Sequence, residues 1–358
     1  MKKVLFSIGN LVGGGAERVV SVWSGVLAEK GYEVAIHIAY RTDGEYPVND
    51  KVHIECTAPT QDAYMALPSL KRLLLKRKFI QKWKPEVVIS FLPNNQIRML
   101  LVAAGIRMRR VETIRINPWR SPCNEKLWKL CFRRADAIIL QTEDQKDYLP
   151  QKDQKKCTVI RNPLAEVYKT AEGRKYGEKA TSFIAAGRLD AQKNFPMLIE
   201  AFARVAKDDD TLTLDIYGRG SDEYTAYLQE CIDKSGASQH ITLKGRTNDM
   251  CGALLQNDCF IMSSDYEGMP NALAEAMATG MVCISTDCKT GPRDMIENGK
   301  NGYLSKTADA DDMEKAIRQV LAMSSVELEA MGNAARESIL ELCDDEKNIK
   351  KLIGVIEG

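Results

Sequence analysis

Two basic residues, Arg188 and Lys193, stand five positions apart in the segment GRLDAQKN. The segment follows a strand-like run, SFIAAG, and precedes a helical pattern that begins near Pro196. A loop in this position can direct both cations into one cleft, where they would offset the charge that grows on a departing diphosphate. The spacing therefore predicts a diphosphate site, although a basic pair in a loop is also common on ordinary protein surfaces.

A second segment, EGMPNALAE, supplies two carboxylates, Glu267 and Glu275. Glu267 ends a loop, Pro270 suits the first turn of a helix, and Glu275 falls on that helix about one and a half turns later. The two acids can therefore reach different parts of one extended ligand. One carboxylate can accept the hydroxyls of a ribose and the other those of a sugar. The amides that would face the phosphates between them are those of Gly268, Met269 and Asn271. Taken alone, the pattern also fits an amphipathic helix with a solvent-facing glutamate.

A glycine cluster, Gly13, Gly14 and Gly15, lies between the strand-like run VLFSI and a helical pattern. Backbone amides at such a turn suit a phosphate or a closely approaching sugar. The cluster does not match a dinucleotide fingerprint, because Arg18 fills the third glycine position and Arg41 stands where an acid should hold the ribose. The loop therefore argues against a nicotinamide cofactor.

The elements that must position these residues alternate along the chain. Short β-branched runs and longer amphipathic stretches follow each other in both halves, which predicts two parallel sheets covered by helices on both faces. We expect an α/β protein with two Rossmann-like domains, 1–165 and 166–339. The connection is expected in the turn-rich stretch from VIRNPLAEVY to Lys179.

Charge divides unevenly between the two halves. Residues 1–165 hold 28 Lys and Arg against 16 Asp and Glu, and the remainder holds 22 against 33, so the halves carry +12 and −11. A basic first half favours an anionic membrane surface or a phosphate-bearing acceptor, with solvated surface charge as the alternative. The segment KRLLLKRKFIQKWK, from Lys71 to Lys84, could lie on an anionic bilayer or pack its apolar stripe on the first sheet.

Composition narrows the protein class. The apolar run at the start is too short for a signal peptide, and no stretch is long enough to span a bilayer, so we expect a cytoplasmic protein. The ten cysteines are scattered without a CxxC pair, which favours free thiols in a reducing compartment. The three histidines have no zinc-like spacing, so the sequence predicts no metal.

The motifs together resemble the retaining glycosyltransferases of family 4, which have the GT-B fold. The resemblance covers nearly the whole chain and is carried by seven segments: GGGAERVV, RADAIILQTEDQKDYL, VIRNPL, GRLDAQKN, IYGRGSDEYTAYL, EGMPNALAEAMATG and TDCKTGPRDMIENGKNGYL. It is greatest to the branch that builds bacterial surface polysaccharides. It implies two domains facing each other across a cleft, with the C-terminal segment 340–358 packed back on the first domain.

The resemblance also implies a role for each matching residue. Arg188 and Lys193 would bind the donor diphosphate, Glu267 the donor sugar and Glu275 the ribose. Further donor-binding positions would be Gly14, Gly15, Gly187, Gly218, Gly220, Gly245, Arg246, Thr247, Gly268, Met269, Pro270 and Asn271.

The chain departs from many relatives on the acceptor side. They carry a histidine in the first domain near the reacting carbon, whereas the corresponding stretch here reads TIRINPW. Arg115 and Asn117 are the candidates to take its place.

The implied reaction moves a hexose or N-acetylhexosamine from a UDP-sugar to a saccharide acceptor, expected to be lipid-linked, with no cofactor, metal or nucleic acid. Two other functions fit the fold. A sugar-nucleotide epimerase would need acid and base groups near the sugar, and histidines are scarce here. An inactive donor-binding subunit of a glycan assembly complex would be expected to lose charged residues that this chain retains.

Overall fold

The chain divides into two compact units in a computed structural model that describes residues 2–121, 123–171 and 174–358. The first unit comprises Met1–Pro163 and Asp345–Gly358, and the second comprises Leu164–Asp344. The sequence predicts the corresponding domain boundaries after residues 165 and 339.

The first unit contains a parallel sheet of seven strands in the order β3-β2-β1-β4-β5-β6-β7. The strands are β1 Lys3–Ser7, β2 Glu33–Ile38, β3 His53–Cys56, β4 Val87–Ser90, β5 Arg109–Ile114, β6 Ala137–Leu140 and β7 Cys157–Val159. The central strand β1 is wholly apolar from Val4 to Phe6, and Leu5 pairs with Ala35 on one side and Val88 on the other. Such a run suits a strand buried on both faces.

Helices cover both faces of this sheet. They are α1 Gly15–Glu29, α2 Gln61–Ala66, α3 Ser69–Trp83, α4 Pro93–Val102, α5 Glu125–Arg134 and α6 Gln151–Gln154, with 3-10 helices at Pro118–Arg120 and Glu143–Tyr148. On one face, Trp23 of α1 packs with Phe6 and Phe91 in a single apolar cluster.

The basic, leucine-rich sequence of α3 predicts either membrane binding or packing on the first sheet, and packing explains only part of it. The helix packs on the sheet through a second apolar cluster, in which Ile80 is fully buried and against which Leu73 is partly buried. Two other leucines, Leu70 and Leu74, point outward and are 67% and 55% exposed. Packing therefore accounts for only one side of the helix.

The second unit contains a parallel sheet of six strands in the order β10-β9-β8-β11-β12-β13. The strands are β8 Ser182–Ala186, β9 Thr213–Tyr217, β10 Ile241–Gly245, β11 Cys259–Met262, β12 Val282–Thr286 and β13 Tyr303–Ser305. The helices are α7 Glu166–Lys169, α8 Phe195–Ala206, α9 Asp222–Ser235, α10 Met250–Leu255, α11 Asn271–Ala278, α12 Pro292–Met295, α13 Ala310–Leu321 and α14 Ser325–Leu342, with a 3-10 helix at Ala191–Lys193. Cys259 and Cys283 are buried free thiols in this sheet, as their apolar context predicted.

Strand order reverses once in each sheet, beside β1 in the first and beside β8 in the second. In the second sheet, β8 lies between β9 and β11, so the loops that leave β8 and β11 start next to each other at the carboxyl edge. Open parallel sheets bind their ligands at such a point.

The last helix, α15 Asp345–Glu357, belongs to the first unit. Its Leu352 and Ile356 are fully buried in the cluster that contains Trp23. The Arg109 side chain fixes it further by donating from Nε to the Val355 carbonyl at 2.8 Å. No helix in the described part of the chain is both long and apolar enough to cross a membrane.

Leu352→Ala should lower the free energy of unfolding by about 2–5 kcal/mol, because it leaves a cavity in the first unit's core. Urea unfolding measures this, with Lys350→Ala as the control, since the Lys350 side chain is 79% exposed. Equal stability of the two variants would contradict the packing of α15 in that core.

Candidate active site

Lys193 and Glu267 form a buried ion pair in the second unit. The Lys193 ammonium lies 2.7 Å from Oε1 of Glu267, and the two side chains are only 14% and 10% exposed. Lys193 ends the 3-10 helix after β8, and Glu267 lies in the loop after β11. The structure therefore brings together two residues that are 74 positions apart in the chain.

Hydrogen bonds join the two loops along their length. Oγ of Ser263 donates to the Lys193 carbonyl at 2.7 Å, and Nε2 of Gln192 donates to the Tyr266 carbonyl at 2.8 Å. The Asp265 amide donates to the Gln192 carbonyl at 2.9 Å. Both loops are thus held as one surface, which preorganises the charged pair.

Arg188 has different surroundings from Lys193. Its side chain is 70% exposed, with Nη1 at 3.1 Å from a carboxylate oxygen of Asp190 and Nη2 donating to Oε1 of Gln192 at 3.1 Å. Gln192 is therefore bonded on one side to Arg188 and on the other to the Glu267 loop. The guanidinium remains open to a ligand from solvent.

Three glycines allow the loops of this edge to approach closely. A Cβ on Gly187 would lie 2.7 Å from Cε of Lys193, and one on Gly218 would lie 1.9 Å from the Gly187 carbonyl oxygen. A Cβ on Gly220 would lie 2.2 Å from the Leu189 carbonyl oxygen. The backbone carbonyls beside Gly218 and Gly220 exclude side chains there, so these two glycines have a packing role whatever their contact with a ligand. A side chain at Gly187 would displace the Lys193 side chain.

The segment after Glu267 leads directly into α11. Pro270 precedes the first helical residue, Asn271, and Met269 is buried. Glu275 lies on this helix and is half-buried. Oγ1 of Thr290 donates to the Glu267 carbonyl, a contact that the sequence gave no reason to expect. A Cβ on Gly291 would lie 2.6 Å from the Gly268 carbonyl oxygen.

The loop after β10 carries Arg246 and Thr247. Arg246 is exposed, and Oγ1 of Thr247 accepts from the Asp249 amide at 3.0 Å. The Gly218 amide donates to the Gly245 carbonyl at 2.9 Å, so this loop is tied to the loop after β9.

The glycine loop of the first unit is covered by Glu17. Gly14 caps α1 without a side-chain hydrogen bond, and a Cβ on Gly14 would lie 2.0 Å from Oε2 of Glu17. Burial raises the pKa of the Glu17 carboxyl, while a backbone hydrogen bond acts in the opposite direction. Sequence reasoning selected Gly14 and Gly15 and missed Glu17, although an acid in the first turn of a helix is a recognisable signal.

Arg115 and Asn117 lie just beyond β5 and are both 7% exposed. The Arg115 guanidinium lies 4.5 Å from the Trp23 ring centroid and donates from Nη1 to Asn162 at 3.0 Å. Burial lowers its pKa to about 9. Asn117 accepts from the Trp119 amide at 3.0 Å. Both have partners within the first unit, and their acceptor-side role stays a prediction.

Family models cover most of the chain. Residues 13–165 match the model described as Glycosyltransferase Family 4, and residues 170–338 match the model of Glycosyl transferases group 1. Both models describe glycosyltransferases, and the chain belongs to this class. The expectation drawn from the sequence motifs is confirmed at this level.

Among the relatives of this glycosyltransferase is one from Campylobacter jejuni, 27% identical over 90% of each chain. It is named N-acetylgalactosamine-N,N'-diacetylbacillosaminyl-diphospho-undecaprenol 4-alpha-N-acetylgalactosaminyltransferase. An uncharacterized glycosyltransferase of Methanocaldococcus jannaschii is 29% identical over 63% of this chain and 62% of its own length.

The fold has solved counterparts. A structure of a Staphylococcus aureus TarM mutant with fondaparinux, alpha-GlcNAc-glycerol and UDP covers all of both chains at 16% identity, with a TM-score of 0.81. The prediction of two Rossmann-like domains of the GT-B class, each with a parallel sheet, is confirmed. Their arrangement across a cleft stays a prediction.

Within residues 2–121, 123–171 and 174–358, no group of three or more His, Cys, Asp or Glu side chains could hold a metal ion.

Glu267→Ala should lower the free energy of unfolding of the glycosyltransferase by about 3–5 kcal/mol, because it leaves the Lys193 charge buried without a partner. Lys193→Met combined with Glu267→Leu should lose less, since it removes both charges. Urea unfolding measures the difference.

The control is Glu230→Ala, which breaks the ion pair between Lys234 and Glu230. Their side chains are 73% and 59% exposed, respectively. No measurable change is expected there. A double variant less stable than Glu267→Ala would contradict the buried-charge explanation.

Proposed function

We propose that the protein is a retaining, metal-independent glycosyltransferase that moves a hexose or N-acetylhexosamine from a UDP-sugar to a saccharide acceptor. The observation that carries the proposal is the buried pair of Lys193 and Glu267 at the strand-order reversal of the second sheet. A donor offers both members a new partner, the diphosphate for Lys193 and a sugar hydroxyl for Glu267.

The reaction breaks the bond between the anomeric carbon and the diphosphate oxygen, and it forms a bond from that carbon to an acceptor oxygen. The acceptor proton passes to the departing diphosphate on the same face of the sugar, so the configuration is kept. Arg188 and Lys193 stabilise the growing charge on the leaving group. Glu267 orients the sugar and Glu275 binds the ribose, so catalysis comes from positioning and electrostatics.

The names of related proteins support the substrate classes. The Campylobacter jejuni relative is named for transfer to a diphospho-undecaprenol-linked saccharide. The TarM structure holds UDP. We therefore propose a UDP donor and a lipid-linked saccharide acceptor in surface glycan assembly, at the cytoplasmic face of the membrane and without a cofactor.

The outer side of α3 suits a membrane contact. Leu70 and Leu74 are exposed one turn apart, next to the exposed Lys71, and Met65 of α2 is 62% exposed. Exposed apolar residues beside cations on a domain with a surplus of basic residues suit an anionic lipid surface. We propose this side of α3 as the membrane-facing surface.

Arg188→Ala should reduce sugar transfer by about 10²–10³-fold, because a preorganised cation is removed from the leaving group. The melting temperature should stay unchanged, since the Arg188 side chain is 70% exposed. Product formation is measured across a panel of UDP- and GDP-sugars, with donor alone and with donor plus a lipid-linked saccharide.

The control is Lys207→Ala, which removes an exposed cation at the end of α8. Near-normal turnover by Arg188→Ala would refute its role. Conversion of the donor in the absence of acceptor would favour an epimerase, and donor binding without any product would favour an inactive subunit.

Replacement of both Leu70 and Leu74 by Ser should weaken binding to phosphatidylglycerol vesicles by about tenfold or more, because two apolar side chains no longer enter the lipid. Vesicle flotation at low salt measures the change. Val326→Ser is the control, since Val326 is a 75% exposed apolar residue of the second unit. Equal vesicle binding by the double variant and wild type would rule out this surface.

A further inference from the structure

A cavity of about 550 Å³ opens in the first unit between α3 and the edge strand β3. Its helix wall is formed by Leu75, Lys78, Phe79, Lys82 and Trp83, which share one side of α3 because they are spaced by three or four residues. Its sheet wall includes residues of β3. The volume falls in the range of about 300–1,000 Å³ that is common for ligand sites.

This side of α3 differs from the two sides already described. Lys76 and Ile80 face the core, and Leu70 and Leu74 face outward. The cavity is therefore separate from the proposed membrane-facing surface.

Four rings line the cavity, and the ring of the buried His37 has its centroid 5.7 Å from that of Phe79. The His53 and Phe79 rings have centroids 6.1 Å apart at 28°, and the Phe79 and Trp83 rings have centroids 6.2 Å apart at 14°. Phe79 and Trp83 are half-buried, and His53 is exposed. The Lys3 ammonium lies over the Trp83 ring, 5.4 Å from its centroid. The accessible parts of the Phe79 and Trp83 rings can pack against the C–H face of a sugar ring.

Two cations at this surface lack a counter-charge. Lys78 and Lys82 are exposed, and neither has an acidic side chain within ion-pair distance in the part of the chain that the structure describes. Lys3 differs, because its ammonium lies 2.8 Å from Glu33. The one acid of the cavity wall, Glu55, lies 3.4 Å from His53. The cavity can therefore accept negative charge at Lys78 and Lys82.

We propose that this cavity binds an acidic saccharide, with sugar rings on Phe79 and Trp83 and anionic groups at Lys78 and Lys82. The inference rests on the proposed function, because a saccharide chain is the acceptor or product of that reaction. A saccharide suits the site better than a lipid chain, since Thr57 and Glu55 add hydroxyl-bonding groups to the wall. The site would hold a growing acidic glycan on the first unit.

The test is calorimetric titration of the full chain at low salt, with UDP at saturation, using tetragalacturonate as the acidic probe and maltotetraose as the neutral one. Only tetragalacturonate should bind, and replacement of Lys78 and Lys82 by Glu should weaken its binding by about tenfold or more. Lys71→Glu is the matched control, because Lys71 is an exposed lysine of the same helix that does not line the cavity. It should change the affinity by less than about twofold.

The proposal fails if maltotetraose binds as well, if Lys71→Glu costs as much as the double variant, or if tetragalacturonate does not bind. It also fails if the double variant loses only its binding to phosphatidylglycerol vesicles, which would assign the lysines to the membrane. Sugar transfer to a short soluble acceptor should be unchanged in the double variant. Absence of transfer by the wild-type chain would overturn the proposed function and leave the measured saccharide binding intact.

Discussion

The buried ion pair of Lys193 and Glu267 depends on the loops that hold its two members together in the second unit. An ammonium and a carboxylate with little solvent around them are stable only when they are held at bonding distance. The side-chain and backbone hydrogen bonds between their loops provide that fixation. Gly187 leaves the space that the Lys193 side chain occupies. A ligand can replace one partner with another, but an empty site without the pair would leave two charges uncompensated.

The sequence predicts the central strands well and the edges poorly. Strands β1, β4, β8 and β11 are continuous apolar runs, because parallel strands in the middle of a sheet are buried on both faces. The run HITLKG indicates the edge strand β10, but the sequence does not indicate the other edge strands, β3, β7 and β13, which have only three or four residues. An edge strand is completed by pairing with a neighbour that is distant in sequence, and no local pattern encodes that pairing.

The same limit applies to the candidate site. Residue type and spacing predict that Arg188, Lys193 and Glu267 lie at one edge of the second sheet, because a strand followed by a polar loop and a helix fixes which edge they occupy. They were not sufficient for Thr290, which reaches the Glu267 carbonyl from another loop. For α3, helical spacing identified an apolar stripe, but which leucines would be covered depended on how the helix docks on the sheet.

The two units show how one topology supports different chemistry. Each has a strand, a glycine-containing loop and a helix beside the point where strand order reverses. In the first unit, the loop is covered by the Glu17 carboxylate, which occupies space above Gly14. In the second, the equivalent loop carries Arg188 and Lys193. A carboxylate at the first loop disfavours phosphate and can accept sugar hydroxyls, whereas two cations at the second favour phosphate. These charges agree with the proposed division of roles, in which the second unit binds the donor diphosphate.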